Sequence, residues 1–213
     1  MTDWPQSEPN PNSNPTATGA SLQARDSSLW IRRVVFVALF GALFIAGSYI
    51  KLHLGFTTVP ISLQTFAVML AGGLLGASLG FASIAIVVVL TALGLPLMSG
   101  SGGLAQLFGP TGGFIWMFPF SALLIGFVAD RLFAPGRRSG RLRPIALLAA
   151  AFGFGALLVY ASGIPWYAHV SKSVDLSGAL SGAMFPFIPG DIAKAVVATI
   201  VIVALRPYLP RLR

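Results

Sequence analysis

Two charged side chains stand inside an apolar stretch near the end of the chain. In Phe187-Ile188-Pro189-Gly190-Asp191-Ile192-Ala193-Lys194 a carboxylate and an ammonium lie three residues apart, which sets both on one face of a helix. Pro189 and Gly190 disfavour regular helix, so the helix is expected to restart at Asp191, where a carboxylate suits a cap or first turn. An ionised group in a membrane span costs at least about 2.5 kcal/mol at the midplane on insertion scales, so it faces the protein interior and has a partner. Two uses fit this pair. It is a structural ion pair that pins the helix, or it is the polar centre of a ligand site, and the rarity of charge in a span favours the second.

A second group of residues surrounds a glycine-rich stretch, Gly100-Ser101-Gly102-Gly103-Leu104-Ala105-Gln106-Leu107-Phe108-Gly109-Pro110-Thr111-Gly112-Gly113. Its six glycines permit left-handed backbone and close approach to a ligand, or simply a tight turn. A phosphate-binding Walker loop ends in Gly-Lys-Ser/Thr. None of the three lysines follows a glycine, so nucleotide hydrolysis is not expected of this chain. A third segment, Thr57-Thr58-Val59-Pro60-Ile61-Ser62-Leu63-Gln64, ends on an amide that both donates and accepts. Gln64 is a candidate ligand contact or a helix–helix hydrogen bond. His53 and His169 have no ligand spacing and read as interfacial residues, so no metal site is expected. No cysteine occurs, and no Ser-His-Asp or paired-carboxylate set assembles, so no catalytic residues are expected.

The elements that must position these residues follow from composition. Of 213 residues, 55% are apolar and 9% charged, with mean hydropathy +0.82. A soluble domain carries about 25% charged residues. A cytosolic enzyme, a disulfide-stapled secreted domain and a disordered chain are therefore excluded, and an integral membrane protein remains. Apolar runs long enough for the roughly 30 Å hydrocarbon layer fall at Trp30–Ile50, Leu63–Leu79, Phe81–Leu97, Phe114–Phe133, Ile145–Trp166 and Ile188–Leu205. They show no period-two alternation, which favours helices over a β-barrel. The expected fold is an all-α membrane protein of six transmembrane helices, residues 29–213, with a turn at Gly80 between the second and third. Met1–Ser28, rich in proline and small polar residues, reads as a disordered cytoplasmic tail and not as a secretory signal peptide.

The net charge of +8 comes without the arginine–aromatic interleaving of a nucleic-acid surface, so nucleic acid is not an expected partner. Basic residues mark cytoplasmic connections instead. Arg25, Arg32 and Arg33 precede the first span. Arg131, Arg137, Arg138, Arg141 and Arg143 lie between the fourth and fifth, and Arg206, Arg211 and Arg213 follow the sixth. With six spans these sets share one side, and both termini are expected to be cytoplasmic. The outer connections, Lys51–Ser62, Met98–Gly113 and Tyr167–Phe187, carry the candidate residues, which points to a site open to the outside.

Small residues recur at four-residue spacing in Ala38, Ala42 and Ala46, and in Gly72, Gly76 and Gly80. Such faces let another helix approach closely. The glycine stripe is expected to pack inside the bundle, and the alanine stripe either there or against another membrane protein. Trp30, Trp166 and Tyr167 fall at expected membrane edges, where aromatic rings belong.

Taken in order, Val59-Pro60-Ile61-Ser62-Leu63-Gln64, Ala92-Leu93-Gly94-Leu95-Pro96, Gly102-Gly103-Leu104, Gly109-Pro110-Thr111-Gly112-Gly113 and Phe187-Ile188-Pro189-Gly190-Asp191 with Lys194 resemble the BioY family. Its members are the biotin-specific substrate-binding components of energy-coupling-factor (ECF) transporters. The resemblance runs from about Trp30 to Leu205. Phe114 stands where the family usually has Tyr.

The resemblance implies a multi-pass cell-membrane subunit that captures biotin from outside and delivers it inward. Partners are a transmembrane coupling protein, which Ala38, Ala42 and Ala46 would contact, and ATP-binding-cassette ATPases, which alone bind ATP. No cofactor is implied. Biotin offers a ureido ring, a thioether ring and an aliphatic tail ending in a carboxylate. Asp191 would accept ureido N–H bonds. Lys194 would meet either the ureido carbonyl or the carboxylate. Gln64 and Gln106 are candidate neutral partners, Gly102 and Gly103 candidate backbone donors, and Phe108, Trp166 and Phe185 candidate walls. Lys51, Lys172 and His53 would draw the anion to the mouth. The alternatives are a same-fold component for another vitamin, a membrane-embedded enzyme using Asp191 and Lys194, and a structural scaffold.

Overall fold

The computed structural model describes residues 15–52, 61–134, 136, 140, 142–172 and 174–209. The helices are α1 (Pro15–Tyr49), α2 (Gln64–Leu75), α3 (Ala77–Ala92), α4 (Leu104–Phe108), α5 (Gly112–Leu132), α6 (Leu142–Phe152), α7 (Leu158–Val170), α8 (Leu176–Ala183) and α9 (Ile188–Leu205). A π-helical turn, Gly153–Leu157, joins α6 to α7 without a break in the chain's direction. The departures from helix are small. Lys51–Leu52 (β1) pairs antiparallel with Ile61–Ser62 (β2), and Met98 bridges Ser101.

Four described helices are long and apolar enough to cross a membrane: Leu29–Tyr49, Gly112–Leu132, Leu142–Val170 and Ile188–Tyr208. The segments α2 and α3 are equally apolar but span 12 and 16 residues. The protein is an all-helical membrane protein.

Three boundaries differ from expectation. Helix α1 begins at Pro15, well ahead of the tail boundary drawn at Ser28. Proline is tolerated in a helix's first turn, and the following Ala, Leu, Gln and Arg residues are good helix formers. The rest of the expected tail lies outside the described residues. Helix α9 takes Pro189 and Gly190 into its first turn and does not wait for Asp191, because proline lacks only an N–H that has no helical partner there.

The third difference is the turn between α2 and α3, at Gly76 and not Gly80. Gly76 has φ +86°, and an added Cβ would stand 2.5 Å from the Asp130 carboxylate. That carboxylate accepts the Ala77 N–H at 3.0 Å and so starts α3. Gly80 is instead inside α3, where its missing side chain lets it press on the Gly72 Cα, 2.9 Å from a built Cβ.

Lipid tails are as apolar as leucine, so burial from water does little to join these helices, and close packing of small residues does more. A Cβ on Gly72 would lie 2.4 Å from the Ala122 carbonyl oxygen of α5, and one on Gly73 2.1 Å from Ile202 of α9. The glycine stripe therefore packs internally, as expected, with α2 held between α5 and α9. The alanine stripe points the other way. Ala38, Ala42 and Ala46 are exposed, while Gly41, Phe44, Gly47 and Ser48 of the same helix face inward.

At the arginine-bearing end of the bundle, Arg206 pairs with Asp130 and donates to the Gly73 carbonyl. Arg206 and Arg143 both lie over the Phe133 ring, at 5.3 and 4.6 Å from its centre. This clamp ties the ends of α5 and α9 to the α2–α3 turn.

Candidate functional site

Asp191 lies in the first turn of α9 and Arg206 just beyond its last, so the Asp191–Lys194 pair is about 22 Å from the arginine clamp at 1.5 Å per residue. Asp191 is 3% exposed. Lys194 donates to its Oδ1 at 2.9 Å, to the Ser62 carbonyl at 2.7 Å and to Thr65 Oγ1 at 3.2 Å. Thr65 in turn donates to Asp191 Oδ1 at 3.3 Å, and Tyr160 donates its phenolic hydrogen to Oδ2. Thus α2, α7 and α9 meet at one carboxylate.

This network forms one wall of a cavity of roughly 800 Å3, open mouth included. Its polar lining also includes Lys51, Gln64, Ser99, Gln106 and Thr111. Its apolar lining is Met98, Phe114, Ile115, Phe118, Ala156, Val159, Ala183 and Phe187. A few convergent polar groups among apolar walls are what a small-molecule site requires. Ala156 of the π turn and Val159 and Tyr160 of α7 line the cavity at the i, i+3, i+4 spacing of one helix face. Such turns recur at functional sites.

Of the residues expected from sequence, Asp191, Lys194, Gln64 and Gln106 come together in this lining. Gly102, Gly103, Phe108 and Trp166 are not part of it. Gly102 is small because the Leu95 carbonyl oxygen stands 2.3 Å from where its Cβ would be. Gly103 turns the chain at φ +81° and gives its N–H to the Thr91 carbonyl at 2.7 Å, so that donor is already used. Phe108 is 56% exposed and stacks outward against Trp116 and Trp166. Trp166 donates to the Gly109 carbonyl at 2.9 Å and fixes the loop that Gln106 and Thr111 reach in from. Phe185 is exposed, and Lys172 is exposed and outside the lining. His53 and Thr57–Pro60 lie outside the described residues.

Several lining residues carried no such expectation: Tyr160, Thr65, Ser62, Ser99 and Thr111. Tyr160 was the most legible of them, being a phenol inside an apolar span that needs a partner when buried. Ser99 has φ +54°, unusual for a residue with a Cβ. Ser48 of α1 holds it there, accepting the Ser99 N–H at 2.9 Å and receiving the Ser99 hydroxyl on its carbonyl.

An all-helical membrane protein with an open cavity beside a buried carboxylate–ammonium pair is the class these features define. The chain belongs to the BioY family, whose profile matches residues 16–211. It is similar to a Rhizobium etli protein named biotin transporter BioY, with 41% identity over 171 residues, 79% of this chain and 90% of the relative. It is also similar to a Rhodobacter capsulatus protein of the same name, at 38% identity over 191 residues, 84% of this chain and 95% of the relative. Among solved structures it matches the S-component for biotin from an ECF-type ABC transporter, with TM-score 0.74 and 31% identity, covering 83% of this chain and 92% of that one.

Proposed function

We propose that this protein is the biotin-capturing membrane subunit of an ECF-type vitamin uptake system, and not an enzyme. The observation that carries the reading is the Asp191 carboxylate, buried with Lys194, Thr65 and Tyr160 in the wall of a cavity with apolar sides. Asp191 has one carboxylate lone pair more than its three partners use, and it would accept a ureido N–H as a charge-assisted bond. Gln64 and Gln106 would supply neutral contacts. The aromatic rings of Phe114, Phe118 and Phe187 would enclose the thioether ring and aliphatic chain.

In this reading α1, α2, α3, α5, the α6–α7 unit and α9 cross the plasma membrane as six spans. Both termini and the Asp130–Arg206 clamp lie on the cytoplasmic side, and the cavity opens outward. Exposed Ala38, Ala42 and Ala46 form the contact for a transmembrane coupling protein, which joins the subunit to ATP-binding-cassette ATPases. ATP is bound by those partners alone, and no cofactor is needed here.

Calorimetric titration of the purified protein tests the reading. Saturable binding of biotin, with riboflavin and thiamine failing to compete, is the expected result. Saturation by another vitamin and none by biotin would overturn it.

A further inference from the structure

Resting on biotin as the ligand, we infer that Lys51 is the residue that selects for the ligand's carboxylate, and that Lys194 is a positioning residue for Asp191. An ammonium has three hydrogens to donate. Those of Lys194 have three acceptors within the protein, the Ser62 carbonyl, Thr65 Oγ1 and Asp191 Oδ1, at 2.7, 3.2 and 2.9 Å. Its charge is matched by Asp191 at the same distance. A ligand carboxylate brought to this end would displace one of those bonds and lie beside a second carboxylate, which repels it in a poorly solvated site.

Lys51 stands differently. It lines the same cavity but is exposed, and among the described residues it has no ion-pair partner. In the β1–β2 pair it is directly opposite Ser62, the residue whose carbonyl Lys194 holds. Directly opposed residues of an antiparallel pair project to the same face, and Ser62 also lines the cavity. Lys51 is therefore one strand away from the polar network, towards the mouth. Among the described residues the charged groups of the lining are Lys51, Lys194 and Asp191, two positive against one negative, and the surplus belongs to Lys51. Partial burial holds its ammonium below the usual pKa, a cost that an arriving carboxylate relieves. The ureido ring then sits at Asp191 and the tail points to Lys51.

The experiment compares biotin with uncharged biotinamide on the full-length purified protein, as wild type, Lys51→Gln and Lys51→Arg. Wild type is expected to bind biotin about fivefold more tightly than the amide, the scale of a partly solvated ion pair. Lys51→Gln should bring biotin down to the amide's affinity without moving the amide, and Lys51→Arg should restore the preference. If Lys51→Gln weakens both ligands equally, or neither, the assignment of the carboxylate to Lys51 is wrong while biotin remains the ligand. If wild type binds neither, the functional reading fails and the inference with it.

Discussion

Tyr160 of α7 donates its hydroxyl hydrogen to the Oδ2 atom of Asp191 on α9, on the side of the carboxylate that Lys194 leaves free. The contact joins the helix that follows the π turn to the helix that carries the ion pair. It also fixes which way the carboxylate plane faces, and therefore which lone pair is left for a ligand.

Tyr160→Phe removes that donor and keeps the ring. The expected cost is about 2 kcal/mol of binding, or roughly thirtyfold in Kd for biotin, because the carboxylate loses a charged hydrogen bond and its fixed orientation. Asp191→Asn should cost more, about 3 kcal/mol or roughly 150-fold, since Lys194 is then left buried without a counter-charge. Titration of each purified variant checks the order. Equal effects, or none, would remove the carboxylate from recognition.

The Asp130–Arg206 pair should behave in the opposite way. Both side chains are 11% exposed, so substituting one breaks a largely buried ion pair. Asp130→Ala is expected to destabilise the protein by about 3 kcal/mol and also to release the Ala77 N–H that starts α3. Thermal unfolding in detergent should show a clear drop in Tm, while the variant's biotin Kd stays near wild type.

Ala42 faces away from the bundle, so Ala42→Leu should leave both Tm and biotin affinity unchanged. Co-purification with a coupling protein should be lost, because the added bulk holds the two helices apart. Gly72→Ala is the control on an inward face. Its Cβ would meet the Ala122 carbonyl oxygen at 2.4 Å, and the fold itself should suffer.

Asp175 caps α8 and accepts from Ser177 Oγ and the Gly178 N–H, at 2.6 and 2.9 Å. The Ser177 hydroxyl, then the Gly178 N–H, hold its carboxyl below the usual range. A lowered folded pKa means that the cap's contribution is complete above the ordinary carboxylate value, about 3.9, and is lost as pH falls through the lowered one. Protection factors for amide exchange along Leu176–Ala183, taken relative to the intrinsic rate at each pH, should therefore fall on acidification, and Asp175→Asn should flatten that dependence.

Charge inside an apolar run was the most legible signal in the sequence, and it led to Asp191 and Lys194. Asp130 carries the same signal at the end of α5 and yet serves a clamp. Charge identifies a partnered interior position; the cavity beside it is what separates ligand site from structure. Gln64 and Gln106 were legible because each begins or sits in a short helix next to a connection between apolar segments. Gly102, Gly103, Phe108 and Trp166 lie outside the lining for a shared reason. Their loop contributes Gln106 and Thr111 to the cavity, and the glycines and aromatic rings around them bend and anchor that loop. Thr65 was hidden because a neutral polar residue in a span has no evident direction until the helix's rotation is known, and even Tyr160, a phenol that needs a partner when buried, gives no sign of which partner it finds.

The most direct measurement is a structure of the protein with biotin bound. The expected density places a ureido nitrogen at hydrogen-bonding distance, about 3 Å, from Asp191, with the rings against Phe114 and Phe118 and the tail leading to Lys51. Biotin seated elsewhere, with the Asp191–Lys194–Tyr160 network closed and untouched, would contradict it.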